Sequence, residues 1–188
     1  SPYLEIDYKL TNESMNESDC VWLEHIVFGD PFLSEHCRLD LPEAKIFNWA
    51  DVTLEGVPDN RLTPQKKGIW PYTEGPNGKV DMRTIPARTS KLQDLAMFYE
   101  LSEGWYSLTN TKTEIGIGML FSKEIFKYVW NWQVFGGGDG YPWYGRHYNE
   151  GLELCTSLPD GDNFPDAKGS TAVKLKSGES IEANLKAI

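Results

Sequence analysis

Glu153 is the residue from which the chemistry of this chain is best approached. It lies in Asn149-Glu150-Gly151-Leu152-Glu153-Leu154-Cys155-Thr156, which reads as a strand. A period of two sends Leu152 and Leu154 to one face and Gly151, Glu153 and Cys155 to the other. A carboxylate between two leucines in mid-strand is costly to desolvate unless its face lines a polar cleft. The alternative is that Glu153 sits on a solvated outer face. Two features favour the cleft: small Gly151 and Cys155 leave room beside the carboxylate, and the surrounding residues 128–165 hold three Trp, four Tyr, two Phe and one His around glycine-rich turns. A carboxylate among aromatic faces suits a sugar, whose C–H faces stack on rings while its hydroxyls take hydrogen bonds. A monosaccharide or sugar derivative is therefore the expected ligand.

Other residues able to do chemistry are few. His25 falls inside the apolar run Cys20-Val21-Trp22-Leu23-Glu24-His25-Ile26-Val27-Phe28, where a lone histidine is more often a satisfied core residue than a catalyst. Neighbouring Glu24 points to the opposite face. His36 and His147 sit in polar surroundings and are weaker candidates. No H-x-H or H-E-x-x-H spacing occurs, so no metal site and no cofactor are expected. Asp94 precedes a strand-like run, where a turn role is the plain reading. A carboxylate pair for glycoside hydrolysis could combine Glu153 with Asp94 or Asp160, at a separation the sequence does not fix. Gly136-Gly137-Gly138-Asp139-Gly140 lacks the lysine and helix of a phosphate cradle, and its aspartate would repel phosphate.

Composition narrows the partners. The chain has 188 residues, 40% of them hydrophobic and 13% aromatic, which is enough for one globular domain over residues 1–188. A formal charge of −10 argues against nucleic acid and against an anionic membrane surface. There is no run of eighteen apolar residues and no signal-peptide pattern, so the chain reads as soluble. Three cysteines, Cys20, Cys37 and Cys155, without C-x-x-C spacing point to a reducing, cytoplasmic setting. Asn12-Glu13-Ser14 and Asn16-Glu17-Ser18 match glycosylation sequons, which matter only in a secreted chain.

The elements that must position Glu153 read as strands. Residues 3–11 alternate as a strand with one wet face. Residues 20–28 are apolar on both faces, hence a central strand pairing with the first. Residues 35–41 and 45–54 are further strands, 55–88 a long loop, and 95–101, 105–109 and 115–121 strands again. A helical turn over 122–127 leads to a strand at 128–135, a glycine loop at 136–148 and the Glu153 strand; a loop over 158–170 precedes a closing hairpin at 171–188. Many short strands with regular turns make an all-β protein, a β-sandwich.

The order of these features resembles the galactose mutarotase, or aldose 1-epimerase, superfamily over most of the chain. The opening YLEIDYKLTNES is similar to that family's mid-chain strand, and Trp22-Leu23-Glu24-His25-Ile26-Val27-Phe28-Gly29 to its histidine strand. Asp94 falls where these proteins place an aspartate before a Tyr/Phe-rich strand. Glu153-Leu154-Cys155-Thr156-Ser157-Leu158-Pro159-Asp160 resembles its Glu-Thr-Gln-x-x-Pro-Asp segment, and Leu175-x-x-Gly178-Glu179 its closing turn. The resemblance implies Glu153 as base and His25 as acid in opening and reclosing a sugar ring, with Asp94, Trp130, Trp132, Trp143 and Tyr144 holding hydroxyls and ring faces. It implies a mutarotase-like supersandwich of which this chain is the later portion. The fold is therefore expected to be incomplete by itself, its open edges covered by an N-terminal fragment, a second subunit or a second copy. The rival readings are a non-catalytic carbohydrate-binding module and a structural β-domain of a larger assembly.

Overall fold

The computed structural model describes residues 2–49, 60–158 and 169–188. In order the strands are β1 (Leu4–Thr11), β2 (Ser18–Cys20), β3 (Leu23–Glu24), β4 (Val27–Gly29), β5 (Cys37–Asp40) and β6 (Lys45–Asn48). After residue 59 come β7 (Lys67–Ile69), β8 (Tyr72–Gly75), β9 (Gly78–Asp81), β10 (Leu92–Tyr99), β11 (Trp105–Asn110) and β12 (Ile115–Phe121). The last four are β13 (Tyr128–Phe135), β14 (Tyr148–Cys155), β15 (Val173–Leu175) and β16 (Ser180–Ala187). The one helical element among the described residues is a single 3₁₀ turn, Arg88–Ser90.

Two antiparallel sheets face each other. One has the order β1-β16-β12-β11-β5; the larger runs β3-β14-β13-β10-β6-β7-β8-β9, with β4 continuing the β3 edge beside β14. Strand alternation builds the core between them: Ile46, Phe98, Val129, Leu152 and Leu154 of the large sheet meet Leu39, Tyr106, Leu108 and Leu185 of the other. The Tyr106 hydroxyl donates to the carbonyl of Leu152 at 3.1 Å, tying the two layers. The all-β sandwich expected from the sequence is the fold that forms.

Several local expectations are corrected. The apolar run 20–28 is not one central strand: Cys20 ends β2, which pairs with β15 in a small separate sheet, and β3 and β4 lie at the edge of the large sheet beside β14, broken at His25 and Ile26. Trp22, Ile26 and Phe28 pack on the core, Trp22 set edge-on between Tyr8 and Phe126, whereas Val21 and Val27 are exposed. Nor does the run pair with β1, which lies along β16 from Leu4↔Ala187 to Thr11↔Ser180. The closing segments are not a hairpin: β15 pairs with β2 while β16 pairs with β1 and β12. Within the expected 55–88 loop, β7, β8 and β9 extend the large sheet. Residues 50–59, the end of the expected 45–54 strand included, and 159–168, with Asp160, Asp162 and Asp166, lie outside the described residues.

The second face of the large sheet is also covered with apolar groups. Phe47, Met97, Tyr99 and Leu158 are buried there, with Trp49, Leu95, Tyr128 and Trp130 packed against them. Glu153 projects from this outer face.

Candidate active site on the outer face of the large sheet

Register fixes which side chains share the outer face. Met97, Trp130 and Glu153 form one row across β10, β13 and β14. The next row is Leu95, Trp132 and Gly151, and the one beyond it Gln93, Val134 and Asn149. Leu152 and Leu154 point the other way and are fully buried in the inter-sheet core, as the alternation requires.

The pairs Leu154↔Glu24 and Gly151↔Val27 set residue 25 opposite residue 153. The amide of Ile26 bonds back to the carbonyl of Glu24 at 3.0 Å, a tight turn at His25 where the strand breaks. Nε2 of His25 lies 3.3 Å from Oε1 of Glu153; the imidazole is 61% exposed and the carboxylate only 7%. His25 is thus no core histidine. Burial pushes the Glu153 carboxyl above the usual carboxylate range, and the charge of His25 acts against that shift. A carboxylate of raised basicity beside an accessible imidazole can take a proton at one atom and supply one at another nearby.

Gly151 makes room for this geometry. A Cβ there would lie 2.8 Å from Oε1 of Glu153 and 3.3 Å from Cβ of Trp132, so the carboxylate leans back over the place a side chain would fill. The small neighbour noticed in the sequence has this specific use.

The aromatic residues divide. Trp132 meets His25 edge-on at 6.3 Å between ring centroids and packs on Trp143 at 5.2 Å; Trp143 in turn meets His147 at 5.0 Å. Trp130 stands directly across from Glu153 and donates its indole N–H to the carbonyl of Ser157 at 3.0 Å. Tyr144 is 58% exposed and pairs with Tyr141 in the glycine loop.

Asp94 is not brought to them either. It lies within β10 on the inner face, 4% exposed, and its carboxylate accepts from the backbone amides of Arg61 at 2.7 Å and Leu62 at 3.3 Å. It belongs to a buried polar cluster that sequence reading missed. Across the sheet from it stand Gln133 and then Glu150, the latter bonded at 2.8 Å to Asn131 Nδ2. The Arg61 guanidinium reaches Gln133 Oε1 at 3.0 Å and the carbonyls of Asp81 and Thr84 at 2.7 and 2.8 Å. Burial pushes Asp94 and Glu150 each up to about 7, against the pull of Arg61. A signal for Glu150 was present: its alternation parity with Leu152 and Leu154 put it on the core face.

No protein-family profile and no curated protein matches the sequence. Solved structures do. The chain is similar to a candidate aldose 1-epimerase from Klebsiella pneumoniae, with TM-score 0.65 and 17% identity over 98% of this chain and 42% of that one. A second candidate aldose 1-epimerase, from Escherichia coli, gives TM-score 0.63 and 14% identity over 98% and 55% of the two chains. The galactose mutarotase related enzyme from Lactobacillus acidophilus gives 0.61 and 13% over 98% and 56%. The fold is mutarotase-like, in a divergent form, and the chain spans about half the length of these structures.

Proposed function

We propose that this protein binds a monosaccharide or sugar derivative on the outer face of its large sheet and interconverts the anomers, as an aldose 1-epimerase or a related sugar-converting enzyme. The observation that carries this reading is the His25–Glu153 pair, 3.3 Å apart and bordered by Trp130 and Trp132. The anomeric hydroxyl and the ring oxygen are bonded to the same carbon, so an acid and a base placed side by side can serve both. Glu153 takes the proton of the anomeric hydroxyl while protonated His25 gives one to the ring oxygen. The bond from C1 to the ring oxygen breaks as the C1 carbonyl forms. Rotation about C1–C2 and the reverse proton transfers close the ring as the other anomer. The aromatic rows offer apolar faces to the sugar ring.

The same reading takes in a partner for the open edge of the smaller sheet, where β1 is the terminal strand. NMR or polarimetric measurement of anomer exchange tests the proposal. Equilibration faster than buffer supports it, whereas sugar binding without acceleration leaves a non-catalytic binding module, and no binding leaves a structural β-domain.

A further inference from the structure

On the outer face, beyond the Trp132 row, four buried polar atoms find no hydrogen-bond partner: Oε1 and Nε2 of Gln93, Nε1 of Trp143 and Nδ2 of Asn149. Gln93 is 1% exposed. Leaving such groups unpaired costs free energy, and native proteins rarely cluster them. Gln93 and Trp143 are neighbours, and Asn149 stands about 10 Å from Gln93 in the same row. Gln93 and Asn149 flank Val134 in one row. The point where a Cβ on Gly138 would sit lies 2.8 Å from Gln93 Oε1 and 3.1 Å from Cδ1 of Trp143.

The glycine loop lies directly on them. A Cβ on Gly137 would come within 2.5 Å of the Leu92 carbonyl oxygen and 3.0 Å of Gln93 Cβ, and Gly138 holds φ +73°. Glycine alone permits so close an approach in that conformation. The loop carries Trp143, whose amide donates to the carbonyl of Gly140 at 2.9 Å, and the amide of Gly145 donates to the carbonyl of Gly138 at 2.8 Å. It is a self-bonded unit resting on a polar floor.

We propose that residues 136–147 form a lid over a hydroxyl-recognition subsite made by Gln93, Asn149 and the Trp143 indole, which takes a vicinal pair of neutral hydroxyls. An uncharged primary amide offers one acceptor and two donors in a fixed plane, a match for two adjacent hydroxyls of which one donates and one accepts. Asn149 Nδ2 and Trp143 Nε1 add donors. None of these groups carries charge, so the ligand class is a neutral polyol and not a sugar phosphate or acid. Resting on the sugar-converting reading above, the subsite names the far end of the same ligand. Asn149 and Glu153 are four residues apart on β14, about 13 Å along the strand, and the lean of Glu153 over Gly151 leaves roughly 7 Å between the carboxylate and Asn149 and, across two strand spacings, roughly 12 Å to the β10 backbone that carries Gln93. One pyranose ring with its hydroxyls fills such a gap, its anomeric carbon at Glu153 and its opposite hydroxyls under the loop.

The test is Gln93→Leu, an apolar replacement of similar size. An unsatisfied buried amide removed in this way leaves stability unchanged or raised, while a binding amide lost weakens the sugar by about tenfold. Tryptophan fluorescence and side-chain amide NMR would follow D-glucose, D-galactose and their 3- and 4-deoxy analogues. Wild type is expected to discriminate against the deoxy sugars and Gln93→Leu to lose that discrimination. A variant that is less stable yet discriminates as wild type does overturns the subsite. Myo-inositol, a neutral polyol without an anomeric carbon, separates this failure from failure of the enzyme reading. Shifts of the Gln93 amide with inositol, in a protein that does not speed anomer exchange, keep the subsite and remove the epimerase. Absence of Gln93 shifts with inositol and with every sugar removes the subsite.

Discussion

His25 Nε2 and Glu153 Oε1 meet at 3.3 Å across the last strand pair of the large sheet, one ring open to solvent and one carboxylate nearly enclosed. This asymmetry supports the proposed roles: the enclosed group gains basicity from desolvation, and the exposed one is open to proton exchange with water. Glu153→Gln keeps shape and hydrogen bonding without accepting a proton, so anomer exchange should fall by roughly 10²-fold or more with the fold intact. His25→Asn should behave similarly. Wild-type rates in either variant, with sugar still bound, would falsify the acid–base assignment.

Gly151→Ala adds one methyl group where Glu153 Oε1 stands 2.8 Å away. The backbone is an ordinary strand and Leu152 beside it is unaffected, so the melting temperature should change little. The carboxylate, however, must swing away from its place beside His25. Turnover should drop by about 10-fold or more while the affinity for sugar moves less, because 1 Å displacements of reacting groups weigh heavily on rate. The His25 ring signals in NMR should shift toward those of Glu153→Gln; unchanged signals and rate would remove Gly151 from the site.

Trp143 packs on Trp132 at 5.2 Å from a loop, not from the core. Its replacement by Ala should weaken sugar binding by about 1 kcal/mol or more through lost stacking area, with small effect on stability. Fluorescence titration checks this, and an unchanged dissociation constant would mean that the ring only props up Trp132.

How much of this was legible in the sequence depended on whether a signal was local. The parity of Leu152, Glu153 and Leu154 is a two-residue property, and it gave both the buried leucines and the separate face of Glu153 correctly. The strands β11 to β13 were likewise bounded by nearby turn residues, whereas β10 runs Leu92–Tyr99 and not 95–101. Pairing is not local: nothing around Lys176-Ser177-Gly178-Glu179 shows that β15 leaves for β2 while β16 joins β1. Apolar content on both faces of 20–28 suggested a central strand, because composition alone does not separate it from an edge that packs Trp22, Ile26 and Phe28 on the core and leaves Val21 and Val27 exposed. Asp94 was read as preceding its strand. That β10 begins three residues earlier, at Leu92, puts Asp94 inside the strand, but its partners, the amides of Arg61 and Leu62, come from 32 or 33 residues away.

Stability should depend on pH through Asp94 and Glu150, both pushed up to about 7 by burial. Their folded values exceed the unfolded ones, so the native state holds more protons over the interval between. The stabilisation is fully present below the unfolded values near pH 4 and is lost as pH rises through about 7. Denaturation midpoints should therefore fall between pH 4.5 and 7.5. Oε1 of Glu150 accepts from Asn131, whereas Oε2 has no partner. Glu150→Gln retains the acceptor and removes the buried charge, so it should flatten the pH profile, raising stability at pH 8 by roughly 1–3 kcal/mol and changing it little at pH 4. A wild-type pH slope in this variant would show that the charge is compensated by Arg61.

The last expectation concerns the smaller sheet. Among the described residues β1 is its terminal strand, eight residues long, and pairs only on the β16 side. Leu4, on the same side of β1 as Ile6 and Tyr8, is 60% exposed, as is Tyr3 before it. Uncapped backbone groups next to exposed apolar side chains form a template for another strand, a state that soluble proteins avoid by pairing or covering the edge. A strand added along β1 would satisfy those groups and cover Leu4 in one step. An N-terminal fragment, a second subunit or a second copy of the chain could supply it, and a specific contact should bury on the order of 1,000 Å² or more. Light scattering after size exclusion is expected to show the isolated chain self-associating, and Leu4→Lys should reduce that association by placing a charge on the edge. A wild-type chain that stays monomeric at high concentration and binds sugar unaided would show that β1 needs no partner.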